Sequence, residues 1–175
     1  MWDLAAGPFL AAAALLVVAG VPKVVDPVPL VRALRAARMP VPRLLVRAFA
    51  LAEVAIGLWA VVAPGRVGSG LVAAAYLVFT LFVARVLARG GVLGSCGCFG
   101  KADTPATRTH LVLTAAAGLV ALWATIDAPR DVWSGVDADT VTTVGLGAVI
   151  AFLAWQVMAV LPTTTPAAVR TTTKG

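Results

Sequence analysis

Leu4-Ala5-Ala6-Gly7-Pro8-Phe9-Leu10-Ala11-Ala12-Ala13-Ala14-Leu15-Leu16-Val17-Val18-Ala19-Gly20-Val21-Pro22-Lys23-Val24-Val25 decides the class of fold. A run this long, almost all Ala, Val and Leu with Lys23 as its only charge, exceeds the ~18 apolar residues that mark a membrane-spanning helix. The rest of the chain agrees. Of its 175 residues 61% are hydrophobic and 13% are charged, whereas a soluble domain carries about 25% charged residues. Met1-Trp2-Asp3 offers no positive region ahead of the apolar run, so the run is expected to be a retained helix and not a cleaved signal peptide.

Working outward, Asp26-Pro27-Val28-Pro29 is expected to end the first span. Leu30 to Met39 then sets Arg32, Arg35 and Arg38 on one helical face with Leu30, Val31 and Leu34 opposite, the pattern of an interfacial helix. A second span is expected over Leu44–Ala63 with Glu53 inside it, and a third over Val67–Leu87 with Tyr76 in its middle and Arg85 near its end. Thr104 followed by Pro105 reads as the start of a fourth span that contains His110 and ends near Ile126. An acidic connection follows, and the uncharged run Val141–Leu161 is the expected fifth span. The fold class is thus all-α: a polytopic membrane bundle of four core helices and a fifth. Three regions are expected: 1–126 as the four-helix membrane unit, 127–161 as loop and fifth helix, and 162–175 as a disordered tail.

The net charge of +6 belongs to the membrane and not to nucleic acid, because the basic residues flank the spans. Threading five spans places all but Arg66 and Arg130 of the 14 Lys and Arg residues on one side. The positive-inside rule then predicts the N-terminus outside and the C-terminus in the cytoplasm. No phosphate-binding, dinucleotide-binding, zinc-protease or serine-hydrolase motif is present.

Chemistry concentrates in Gly94-Ser95-Cys96-Gly97-Cys98-Phe99-Gly100, which holds both cysteines of the chain. Side chains at i and i+2 diverge on a helix, so a disulfide between Cys96 and Cys98 requires a turn. Gly97 permits one because it readily adopts positive φ. A small strained ring is labile and suits exchange chemistry better than structural bracing. Arg85, Arg89, Lys101 and His110 would favour the reactive thiolate. Two thiols and one histidine fall short of a closed zinc site, and no metal is expected. By alternation, Lys23, Glu53, Arg85, His110 and the thiols occupy the same half of the bundle, at the predicted cytoplasmic face. An ionisable residue inside a span is a functional candidate by default, although Glu53 paired with Lys23 or Arg47 would also serve simply to tie helices together.

Three stretches resemble the MauE family of methylamine-utilisation membrane proteins, relatives of the DoxX group: Ala19-Gly20-Val21-Pro22-Lys23, Glu53-Val54-Ala55-Ile56-Gly57-Leu58 and Cys96-Gly97-Cys98-Phe99-Gly100. The resemblance covers about Phe9 to Ile126. It implies a redox-associated membrane protein that works beside a thioredoxin-like partner in maturing methylamine dehydrogenase. It also implies Cys96 and Cys98 as exchanging thiols, Lys23 and Glu53 as the family's polar pair, and a quinone as candidate electron acceptor. Two other readings stay open: a non-catalytic assembly or scaffold subunit for a redox partner, and a small-molecule or metal carrier using the surroundings of Glu53.

Overall fold

The computed structural model describes residues 2–36, 38–88, 107–127, 133 and 137–160. Among the described residues six α-helices run in chain order: α1 Trp2–Val25, α2 Val28–Ala36, α3 Arg43–Val62, α4 Arg66–Ala88, α5 Arg108–Ile126 and α6 Ala138–Trp155, the last extended by a π-helical turn, Gln156–Val160. Among the described residues, five helices are long and apolar enough to cross a membrane; α2 is the short one. Leu44, Val62, Leu77 and Leu119 are each more than half exposed. Such an apolar exterior suits lipid, not water.

The first helix is the hub. α1 packs against α3, α5 and α6 and touches α4, and Phe9, Ala12, Ala13 and Leu16 on it are fully buried. These meet Ala60 of α3, Val72, Ala75 and Tyr76 of α4, and Ala121 and Ala124 of α5. Small residues dominate this core because helix association in lipid depends on close backbone approach. Pro8 and Pro22 lie inside α1 without ending it. The Pro22 carbonyl still accepts from the Asp26 N–H at 2.8 Å, so the helical hydrogen bonding carries past the proline.

Asp26-Pro27-Val28-Pro29 both stops α1 and starts α2, since an Asp26 carboxylate oxygen accepts from the Val28 N–H at 3.0 Å. α2 ends sooner than its arginine spacing suggests. The Met39 N–H bonds to the Leu34 carbonyl and the Arg38 N–H to the Arg35 carbonyl, with Arg38 left-handed at φ 56. That is a Schellman stop, a position that glycine usually fills.

The start of α5 needs correction. The helix begins at Arg108 and its N-cap is Thr107, whose hydroxyl accepts from the His110 N–H, so Thr104–Pro105 is not its first turn. Proline at a first helical position is a frequent signal, but the hydroxyl that meets the free N–H groups belongs to the nearer threonine. α6 starts three residues before the expected Val141, capped by Asp137, which accepts from the Thr140 N–H at 2.8 Å. It runs parallel to α1, with Gly147 against the Gly7 backbone.

Candidate functional site

Two glycines set the site. A Cβ on Gly57 would lie 2.7 Å from the Ala13 carbonyl oxygen, and one on Gly20 would lie 2.7 Å from Val54 and 3.0 Å from the Ala50 carbonyl oxygen. Without side chains there, α1 and α3 come into backbone contact. Lys23 lies one turn beyond Gly20, and Glu53 one turn before Gly57. Side chains lean toward the N-terminus of their own helix. Because α1 and α3 are antiparallel, Lys23 and Glu53 therefore lean toward each other.

The Lys23 ammonium meets Glu53 Oε2 at 2.7 Å, with each side chain only 2% exposed. Arg47, the alternative partner, instead donates to the Val25 carbonyl at 3.4 Å and closes the end of α1. The ammonium also stands 4.7 Å from the centre of the Phe79 ring, and that ring is edge-on to Phe49 and Tyr76. The other carboxylate oxygen, Glu53 Oε1, has no partner among the described residues. An ion pair this dry is justified only by tight pairing, since desolvation of each charge costs several kcal/mol, an order of magnitude comparable to the attraction itself.

Beside the pair is a cavity of about 30 Å³ lined by Lys23, Tyr76, His110 and Thr114 among apolar neighbours. That is room for about one water molecule. Tyr76 donates its hydroxyl to the Ala12 carbonyl at 2.8 Å, fastening α4 to α1. His110 is held from both sides. Its Nε2 is 3.0 Å from the Met158 carbonyl oxygen and its Nδ1 is 2.8 Å from the Thr107 hydroxyl. A carbonyl only accepts, which assigns the ring proton to Nε2 and lets the Thr107 hydroxyl donate to Nδ1. Met158 lies in the π-helical turn, a form found frequently at functional sites. His110 thereby latches the end of α6 to the beginning of α5.

The structure thus brings Lys23, Glu53 and His110 to one end of the bundle. Arg85 stands apart: it is exposed and lines a different hollow, on which Phe79 also borders. Cys96, Cys98, Gly94, Gly97 and Gly100 lie outside the described residues, as does the 162–175 tail. Among the described residues, no three His, Cys, Asp or Glu side chains come together as a metal site would require. Phe79, Thr107 and Met158 were not singled out by sequence reasoning. Thr107 alone had a usable signal, a hydroxyl three residues before His110.

A family model described as methylamine utilisation protein MauE matches residues 1–127. The chain belongs to the MauE family. The matched region spans α1 through α5, and so includes the Lys23–Glu53 pair, His110 and the Cys96-Gly97-Cys98 segment; α6 lies beyond it. No curated protein and no solved structure gives a significant match. Membership in the MauE family, with five helices among the described residues long and apolar enough to span, makes this a multi-pass membrane protein.

Proposed function

We propose that this MauE-family chain is a membrane thiol–disulfide exchange protein, with Cys96 and Cys98 as the exchanging thiols and a thioredoxin-like protein as partner. The observation that carries the reading is Cys96-Gly97-Cys98-Phe99-Gly100 in a chain of this family, placed in the segment that joins α4 to α5. Both flanks of that segment are anchored. Val83 and Val86 bury the end of α4, and the Thr107–His110–Met158 contacts hold the start of α5. The Lys23–Glu53 pair adds a brace at the same end of the bundle. It is a positioning device in this reading.

In the exchange, a partner thiolate attacks one sulfur of a Cys96–Cys98 disulfide. A mixed disulfide forms and the other cysteine leaves as thiolate. The partner's second thiolate then attacks the mixed disulfide, so the partner ends oxidised and Cys96 and Cys98 end reduced. Two electrons pass between two dithiol–disulfide couples, and the step runs in either direction according to their potentials. Arg89, Lys101 and Arg108, which flank the thiols in the sequence, supply the positive charge that favours thiolates. The family's name supports placing this exchange in methylamine use; methylamine dehydrogenase as the protein matured is what the resemblance of the three sequence stretches implies. We assign the thiols to the cytoplasmic face, from the distribution of Lys and Arg.

The test is to express Cys96→Ser and Cys98→Ser separately with the native partner proteins and to run non-reducing gels. Removal of the resolving thiol should accumulate a covalent adduct that the double variant lacks. If both thiols stay reduced under mild oxidant and both single variants keep full biological activity, the exchange reading fails and a scaffold role replaces it. A membrane-impermeant thiol reagent should label Cys96 or Cys98 only after the membrane is opened; labelling of intact cells would reverse the orientation.

A further inference from the structure

Between α2, α3 and α4 lies a hollow of about 440 Å³, walled by Leu34, Val41, Phe49, Phe79 and Phe82, with Arg85 as its charged lining residue. That volume falls within the roughly 300–1,000 Å³ typical of small-molecule sites. A second hollow of about 430 Å³ between α4 and α5 has no charged residue in its lining, so volume alone does not distinguish a site from ordinary lipid-facing surface. Charge does. Arg32, Arg35, Arg38, Arg43 and Arg47, on the elements that frame the first hollow, are all exposed, as is Arg85. Among the described residues none of them has a carboxylate within salt-bridge distance, the one such pair being Lys23–Glu53.

Arg38 adds an independent pointer. It occupies the left-handed stop of α2 at φ 56, where glycine is conformationally favoured and a side chain costs stability. Arg38 directly precedes Met39, which lines the hollow, so an exposed cation stands at a glycine position beside the groove.

We propose that this groove binds one anionic phospholipid, an acyl chain lying along the apolar wall and the phosphate held by Arg85 and Arg38. Guanidinium groups suit phosphate oxygens because their N–H donors form paired, charge-assisted hydrogen bonds. The site is independent of the thiol chemistry. Its floor, Phe79, is the ring that carries the Lys23 ammonium on the protein's inner side.

The full chain, purified in neutral detergent, would be titrated with phosphatidylglycerol and with phosphatidylcholine of the same acyl chains, followed by thermal unfolding and native mass spectrometry. Phosphatidylglycerol should raise the melting temperature saturably and give a one-lipid adduct, with phosphatidylcholine and free glycerol phosphate doing neither. Arg85→Gln and Arg38→Gly should each weaken the apparent affinity about tenfold. Arg38→Gly should at the same time leave the lipid-free protein at least as stable as before, which separates lost binding from lost folding. Val78→Trp, which fills the groove, should abolish the adduct, whereas Leu119→Trp in the uncharged hollow should not. Equal stabilisation by phosphatidylcholine, an undiminished adduct in Val78→Trp, or a co-purified quinone or neutral lipid in the groove would each overturn the assignment.

Discussion

Removing one member of the Lys23–Glu53 pair tests the central geometry most directly. The two groups are 2.7 Å apart and nearly dry, and neither has a replacement of opposite charge among the described residues. Lys23→Met leaves the Glu53 carboxylate with both oxygens unpaired, because Oε1 already lacks a partner. Glu53→Gln leaves an ammonium whose remaining support is an amide oxygen and the Phe79 ring. For a buried pair, loss of one partner costs on the order of 3–5 kcal/mol. The two losses should be unequal. Lys23 is near the end of α1 and a lysine stem can carry its charge toward the interface, while Glu53 is fixed about 15 Å into α3 at 1.5 Å per residue. Stranding the carboxylate is therefore the worse change. Unfolding by titration with a denaturing detergent would be measured for wild type, both single variants and the double variant. The double variant should recover part of the summed loss, because it removes both charges. Losses that add to within about 0.5 kcal/mol would refute the pairing.

Three further outcomes follow from particular contacts. Gly57→Ala should destabilise by about 1–3 kcal/mol, the usual cost of overpacking, because its Cβ would meet the Ala13 backbone and Val17 at 2.7 Å. Gly145→Ala, with nothing within 4 Å, should be neutral or mildly stabilising in the same assay; equal losses at both positions would reject the close-approach explanation. His110→Leu should speed amide hydrogen exchange across Gln156–Val160, since it removes the donor to the Met158 carbonyl, and unchanged exchange there would mean that α6 is held without the latch. The Asp137 carboxyl is held below its usual range by the Thr140 N–H and then the Thr140 hydroxyl. Its cap is therefore in place above the unfolded carboxylate value and is lost as pH falls through the lowered folded one. Protection from exchange at the start of α6, taken relative to the intrinsic rate at each pH, should fall on that acid side only, and Asp137→Ala should remove the dependence.

Much of the architecture was legible along the chain because a bilayer demands apolar runs longer than any soluble helix needs. Leu4–Val25 already announced a span, and four more runs, with a short arginine helix between the first two, completed the bundle. Alternation across the membrane was enough to put Lys23, Glu53 and His110 in the same half. The choice of Lys23 over Arg47 as partner was not readable, since alternation puts both basic residues at the same end of the bundle as Glu53. It was settled by Gly20 and Gly57, which let two backbones touch, and by the opposed lean of side chains on antiparallel helices. Nor could the sequence say that α1 is the buried hub: lipid is as apolar as a protein core, so a helix facing its neighbours and one facing the bilayer carry much the same residues. His110 was visible as a lone histidine near a helix start, but its partner is a backbone carbonyl 48 positions away. A carbonyl is present at every residue, and only the packing of α6 against the bundle determines which one it meets.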